Sequence, residues 1–176
     1  RDSSGALWVG LSGSLVRLQS GAPQLLTGED GVPPGPVRVL RAEPDGTLWI
    51  GSYGGGLARL RDGRIARLTS EGGLFDDAIS ALLPDGHGRF WLMGNLGLLG
   101  VRRGRLDSVL SGYAGTLDGI RLGPLEGVPE GNGGHPAAWR TAEGHLLFAS
   151  VDGITVVREA MLEQLRPPPA PLLLVA

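Results

Sequence analysis

The stretch Gly46-Thr47-Leu48-Trp49-Ile50-Gly51 decides the fold of this chain, because it recurs. It stands earlier as Gly5-Ala6-Leu7-Trp8-Val9-Gly10 and later, less faithfully, as Gly88-Arg89-Phe90-Trp91-Leu92-Met93. The tryptophans are 41 and 42 residues apart. A fainter fourth copy, Gly144-His145-Leu146-Leu147-Phe148-Ala149, follows the third by 56 residues. A period of this length indicates one supersecondary unit repeated along the chain.

Alignment of the copies predicts up to four short strands in each repeat. The second strand of each repeat is the tryptophan phrase. First strands are predicted at 37–42, 79–83 and 136–141, and third strands at 14–18, 56–60, 98–102 and 154–158. Fourth strands are predicted at 24–27, 64–69 and 105–110. The 31 glycines, the 13 prolines and the Asp-Gly pairs favour tight hairpin turns. Four antiparallel strands in roughly 40 residues describe a β-propeller blade. The predicted fold is all-β, a partial propeller of about four blades.

The tryptophan phrase is apolar at every position, which is typical of a strand covered on both faces. In a propeller, successive blades stack face to face. We therefore predict that Trp8, Trp49, Trp91 and Phe148 form the core between blades.

The repeats also define the domain organisation. Residues 1–166 are predicted to form the propeller part, with a partial first blade at 5–27, blades at 37–69, 79–110 and 136–158, and a short helix at 159–165. The proline-rich residues 167–176 are predicted to be a linker and the start of a β-sandwich domain. Because the pattern is interrupted at both ends, we expect a piece of a longer protein.

The composition limits the classes of partner. A net charge of −2 provides no field that would attract nucleic acid. The absence of cysteine excludes disulfides and thiolate metal sites. The sequence contains no run of 18 apolar residues, so we predict no membrane insertion within this segment. We predict no cofactor and no metal.

Residues 45–60 resemble the two-component regulator propeller repeat. Thr69-Ser70-Glu71-Gly72-Gly73-Leu74, followed by residues 79–83, fits the same repeat. Residues 133–140 and 144–153 are similar to the closing blade of such propellers, and residues 167–172 resemble the lead into the three-tyrosine sandwich domain that follows them.

This resemblance implies a periplasmic sensor region of a hybrid two-component or related signalling protein. Such a region binds a ligand and passes the signal through the sandwich domain and a membrane helix to a kinase, a cyclase or another output. In one branch the ligands are carbohydrate fragments. The sequence departs from the pattern at Met93-Gly94-Asn95 and at Leu147-Phe148, and four blades are fewer than usual.

A search for catalytic residues finds no convincing set. His87 and His145 lie in glycine-rich turns, and His135 has no partner at a metal-ligand spacing. Asp76 and Asp77 are adjacent, so in an extended segment they point in opposite directions. We predict that this segment is not an enzyme; a propeller enzyme of the streptogramin lyase or glycosidase type and a protein-interaction scaffold remain as alternatives.

Propeller topology gathers the loops between second and third strands and the loops between blades on one face. Tyr53, Asn95 and Asp77 could together form a carbohydrate platform there. Residues 111–134 form a long insertion, with a predicted short helix at 117–122, for which ligand binding and packing are equally good interpretations. The candidate ligand-binding residues are Ser52, Tyr53, Asp76, Asp77, Asn95, Tyr113, Asn132 and His135.

The partners predicted from the sequence are a small molecule, with a carbohydrate as one candidate, and the protein's own downstream sandwich and signalling domains. Four blades leave strand edges and apolar surface uncovered, so we also predict self-association.

Overall fold

The computed structural model describes residues 1–113, 115, 117–131, 136–158 and 160–161. This part of the chain folds into four antiparallel sheets of three or four strands, with one short α-helix among its elements. The predicted all-β fold class is therefore confirmed. Strands that follow one another along the chain are neighbours within each sheet, which is the strand order of a propeller blade.

Each sheet comes from one sequence repeat. Sheet 1 contains β1 (Leu7–Gly10), β2 (Leu15–Leu18) and β3 (Gln24–Leu26). Sheet 2 contains β4 (Val37–Ala42), β5 (Leu48–Ser52), β6 (Leu57–Arg61) and β7 (Arg64–Leu68). Sheet 3 contains β8 (Ala81–Pro84), β9 (Arg89–Gly94), β10 (Gly97–Arg102) and β11 (Ile120–Leu122). Sheet 4 contains β12 (Ala138–Arg140), β13 (Leu146–Ser150) and β14 (Gly153–Val157).

The outer edge of sheet 3 differs from the prediction. Residues 105–110, predicted as its fourth strand, lie in the helix α1 (Arg103–Leu110), and β11 is the fourth strand instead. Leu106 is fully buried, and Val109 and Leu110 pack against the same apolar cluster. Spacings of three and four residues place these side chains on one helical face. The strand prediction was wrong because it followed the alignment with the preceding repeat.

The predicted short helix at 117–122 is also wrong. Its last three residues form β11, which pairs with β10, and residues 117–119 have no regular structure. The long insertion is thus divided between the connection from β10 to β11 and the connection from sheet 3 to sheet 4. Residue 159 and residues 162–176, which hold most of the predicted C-terminal helix and the whole proline-rich segment, lie outside the described residues.

The core lies between successive sheets. Trp49 and Phe90 meet edge to face between sheets 2 and 3, with ring centroids 5.4 Å apart. Trp91 and Phe148 are fully buried in the cluster between sheets 3 and 4. Trp8 is half-buried against the cluster between sheets 1 and 2, and its indole nitrogen donates to Asp2 at 2.8 Å. Apolar residues at consecutive positions of β5 and β9 are therefore covered on both faces.

Glycines three residues before the tryptophan position identify the fourth repeat. Gly5, Gly46, Gly88 and Gly144 have φ angles of 83°, 84°, 83° and 86°. Each closes the turn that leads into the tryptophan strand or its equivalent, and this left-handed conformation is available to glycine without steric cost. Residues 144–148 therefore belong to the same repeat, although Leu147 stands at the tryptophan position.

Ion pairs join α1 to the turn between β4 and β5. Arg103 contacts Asp45 and lies 3.6 Å from Glu43. Asp107 of the same helix accepts a hydrogen bond from Arg59 of β6 at 2.7 Å. Burial alone would raise the pKa of Asp45, but hydrogen bonds from Thr47 and from the Arg103 guanidinium lower it to about 2. The helix thereby links sheet 3 to sheet 2.

We expect Asp45→Asn to lower the free energy of unfolding by about 0.5–1 kcal/mol near pH 7, since the pair is partly exposed. The folded-state pKa lies below the ordinary value of 3.8. The ionised carboxylate therefore stabilises the fold above about pH 4, and this contribution is lost as the pH falls toward 2. Urea unfolding across that range should show the two proteins converging. Asp62→Asn, at a side chain that is 92% exposed, is the control and should show no such convergence.

Candidate functional site

A central cleft of about 380 Å³ lies where the first strands of the sheets come together. β4 lies beside both β1 and β8, and β8 lies beside β12. All four sheets or their leading segments therefore contribute to its wall. The residues lining the central cleft are Gly10, residues 37–40, residues 80–82 and residues 136–138.

Arg38 is the charged residue of this lining, and the sequence analysis did not identify it. It lies where the pairing of β4 with β5 shifts register between Val37 and Val39. A bulge of this kind re-aims a side chain and is common beside functional sites. The only sequence signal was a pair of arginines, Arg38 and Arg41, in an otherwise apolar inner strand.

The two arginines of β4 have different surroundings. Arg41 donates to Glu43 at 2.8 Å. Among the described residues, Arg38 has neither an acidic partner nor a hydrogen bond, and its Nε is both buried and unpaired. Its guanidinium carbon lies 5.8 Å from the centroid of the Tyr53 ring, within range of a cation–π contact. The central cleft therefore presents a positive charge that no described side chain neutralises.

Tyr53 and Asn95 come together as the sequence predicted. The amide nitrogen of Asn95 donates to the Tyr53 hydroxyl at 3.4 Å, which connects the loop after β5 with the turn between β9 and β10. Tyr53 is half exposed, and its ring lies beside the Arg38 guanidinium. Ser52, another candidate, is fully buried, and its hydroxyl donates to the Gly56 carbonyl oxygen.

Asp76 and Asp77 hold loop backbone. The two carboxylate oxygens of Asp76 accept hydrogen bonds from the backbone nitrogens of Ala78 and Leu96, each at 2.9 Å. Those of Asp77 accept from the backbone nitrogen and the hydroxyl of Ser70, each at 2.7 Å. All four oxygens are therefore engaged with the protein, and these contacts position the loops beside Tyr53 and Asn95.

The remaining candidates are Tyr113, Asn132 and His135. Tyr113 follows the end of α1 on the connection from β10 to β11, it is 89% exposed, and it does not line the central cleft. Asn132 and His135 lie outside the described residues. His87 and His145 lie in the turns before β9 and β13. Within the described ranges, no three acidic or histidine side chains gather as metal ligands would.

A repeated connection between sheets also escaped the sequence analysis. Short 3-10 turns occur at Gly28–Asp30, Ser70–Gly72 and Pro124–Glu126. Each is followed by a left-handed glycine and then by a buried apolar residue, which is Val32, Leu74 or Val128. The signal was the recurrence of an acidic residue followed by glycine and an apolar residue after the fourth strand. These turns anchor the loops that lead to the inner strands.

Comparisons with known proteins support the fold. No protein-family model and no curated protein matches the chain by sequence. Among solved structures, it is similar to the extracellular domain of a protein assigned as a hybrid two-component system from B. thetaiotaomicron, with a TM-score of 0.74 and 17% identity. The match covers 93% of this chain and 22% of the other, so this chain spans about a fifth of that length. The specific repeat family, the self-association and the downstream domains stay predictions.

Proposed function

We propose that this chain is part of the ligand-sensing region of a two-component-type receptor, and that a small molecule binds in its central cleft. The observation that carries the proposal is the convergence of the inner strands on Arg38, which has no acidic partner among the described residues. The fold supports it, because the similar domain from B. thetaiotaomicron is the extracellular part of a protein assigned to such a system.

The position of the central cleft is suited to transmitting a binding signal from one sheet to another. A ligand there would contact the inner strands of several sheets at once, and Tyr53 and Asn95 already connect the loops of sheets 2 and 3. Such a ligand favours the spacing of sheets that best fits it, which is how binding energy shifts a conformational equilibrium. The proposed output is a change in sheet spacing that is passed to further domains of the protein.

The proposed role is binding without catalysis. Asp76 and Asp77, the adjacent acids of the predicted site, are both engaged with loop backbone. A general acid or base must be able to reach the proton that it transfers. A propeller enzyme and a protein scaffold are the competing functions, and turnover of a bound probe or binding of a protein at the central cleft would favour one of them.

The proposed location is the periplasm. In the described part of the chain, no helix combines the length and the apolar character needed to span a bilayer. Because the chain contains no cysteine, a cysteine introduced at Leu125, which is 99% exposed, provides a unique label within it. We expect a membrane-impermeant maleimide to label this position in intact cells that make the full-length protein. Labelling only after lysis would contradict the location.

Binding is tested by ligand-observed NMR with benzoate, glucuronate, glucose and phosphate as probes. Pro136 is exposed and lines the central cleft, so Pro136→Trp should obstruct it with little effect on the core. We expect at least one probe to bind the unmodified chain and to lose binding in this variant. Leu125→Trp introduces the same side chain at an exposed position outside the lining and should leave binding unchanged. Equal binding to all three proteins would overturn the proposed site.

A further inference from the structure

We infer that the central cleft binds a small monocarboxylate, and that the guanidinium of Arg38 holds the carboxylate group. This inference rests on the proposed function, since it names the ligand class of the same site. It follows from the charge of the lining, the placement of Arg38 and the chemistry of the walls.

The charge of the lining favours a single negative group. Arg38 is flanked in the lining by apolar and small residues, and Ser80 already donates its hydroxyl to the Met93 carbonyl oxygen at 3.1 Å. Because the Nε of Arg38 is buried, the terminal N–H groups of the guanidinium, which make no hydrogen bond to the described residues, are the donors for a ligand oxygen. One guanidinium matches the charge of a carboxylate, whereas a phosphate dianion would bring a second charge with no partner.

The placement of Arg38 pre-organises it for this group. Its backbone is fixed at the bulge of β4, and the Tyr53 ring lies beside its guanidinium. Arginine presents a planar fork of N–H donors that matches the two oxygens of a carboxylate. Since the side chain is held from both ends, less of its freedom is lost when a ligand binds.

The walls of the central cleft limit the size and the chemistry of the rest of the ligand. The volume of about 380 Å³ lies near the lower end of the usual range for ligand pockets, roughly 300–1,000 Å³. β4, β8 and β12 are edge strands of their sheets, and edge strands carry unpaired backbone N–H and C=O groups. The body of the ligand is therefore small, and it meets short apolar side chains and backbone hydrogen-bonding groups.

The test is a set of calorimetric titrations of the full chain with paired probes. Benzoate is compared with benzamide, and glucuronate with glucose, so that the carboxylate is varied on an apolar and on a hydroxylated body. We expect at least one carboxylate to bind about ten-fold or more tightly than its neutral counterpart, the range of one charge-assisted pair. The tighter of the two carboxylates identifies the body that the walls prefer.

Variants assign the preference to Arg38. Arg38→Gln should weaken the binding of that carboxylate by about ten-fold or more, while Arg38→Lys, which keeps the charge, should retain part of the preference. Arg64→Gln, at an exposed arginine of β7, is the matched control and should change binding less than two-fold. Circular dichroism checks that each variant is folded. If Arg38→Gln does not fold, the Arg38→Lys result still tests the inference.

The outcomes separate this inference from the proposed function. Equal binding of the neutral and charged probes, tighter binding of inorganic phosphate, or an unchanged affinity in Arg38→Gln would each overturn the carboxylate inference. If the neutral and charged probes bind equally and Pro136→Trp abolishes that binding, the proposed function stands while the inference fails. If Pro136→Trp changes the binding of no probe, both fail.

Discussion

Trp49→Ala is expected to lower the free energy of unfolding by about 3–5 kcal/mol. Trp49 is 1% exposed and contacts Phe90 across the boundary between sheets 2 and 3. Its removal takes away a large buried apolar surface and leaves a cavity that rigid sheets fill poorly. Domains of this size are stable by about 5–15 kcal/mol, so the variant should be close to unfolding. Chemical denaturation followed by far-ultraviolet circular dichroism measures the loss.

The matched control for this substitution is Trp139→Ala. Trp139 lies on β12, and 63% of its surface is exposed. Loss of this side chain should change the free energy of unfolding by less than about 0.5 kcal/mol, as for most surface positions. Similar losses for the two variants would mean that Trp49 does not lie in a packed boundary between sheets.

Gly100→Ala should be the second most damaging change, with a loss of about 1–3 kcal/mol. Gly100 of β10 pairs with Trp91 of β9, and the indole lies over the glycine. An added methyl group would stand 2.5 Å from two atoms of that ring, closer than packed carbon atoms allow. Because Trp91 is itself fully buried between sheets 3 and 4, it has little room to move. Thermal and chemical unfolding both report the effect.

Gly104→Ala provides the opposite case with the same chemical change. Gly104 lies in the first turn of α1, and among the described residues a methyl group there would meet no atom within 4 Å beyond the backbone of its own helix. Alanine favours a helix over glycine by up to about 1 kcal/mol, so this variant should equal or exceed the unmodified chain in stability. A loss for Gly104→Ala as large as that for Gly100→Ala would show that crowding at Trp91 is not the cause.

The repeat allowed much of the fold to be predicted from the sequence. The tryptophan phrase marks one strand of each unit, and its apolar character at every position predicts cover on both faces, as Trp49 and Ile50 show. The α1 region was predicted wrongly because alignment with the earlier repeat outweighed the helical spacing of Leu106, Val109 and Leu110. Local spacing was the better guide where an insertion interrupts the period.

The candidate site was less accessible from sequence. Loop topology correctly brought Tyr53 and Asn95 together, because equivalent turns of neighbouring sheets open on one face. Arg38 belongs to no motif, and its importance depends on a register shift and on the absence of an acid among its described neighbours, both of which are tertiary properties. The roles of Asp76 and Asp77 likewise depend on backbone groups far along the chain or across a turn.

The ion pairs of α1 make the boundaries between sheets unequal in strength, although the sheets come from similar sequence repeats. In a stack of equal units, each boundary would open with similar ease. Here Arg103 and Asp107 link sheet 3 to sheet 2 at a second place, so we expect this boundary to open less readily than the others. On this expectation, Arg38 and Ser80 lie on the more stable side of the cleft, and Ala138 lies on the side that opens more readily. A cleft with one stable wall and one wall that can move would allow the proposed ligand to change the spacing of the sheets.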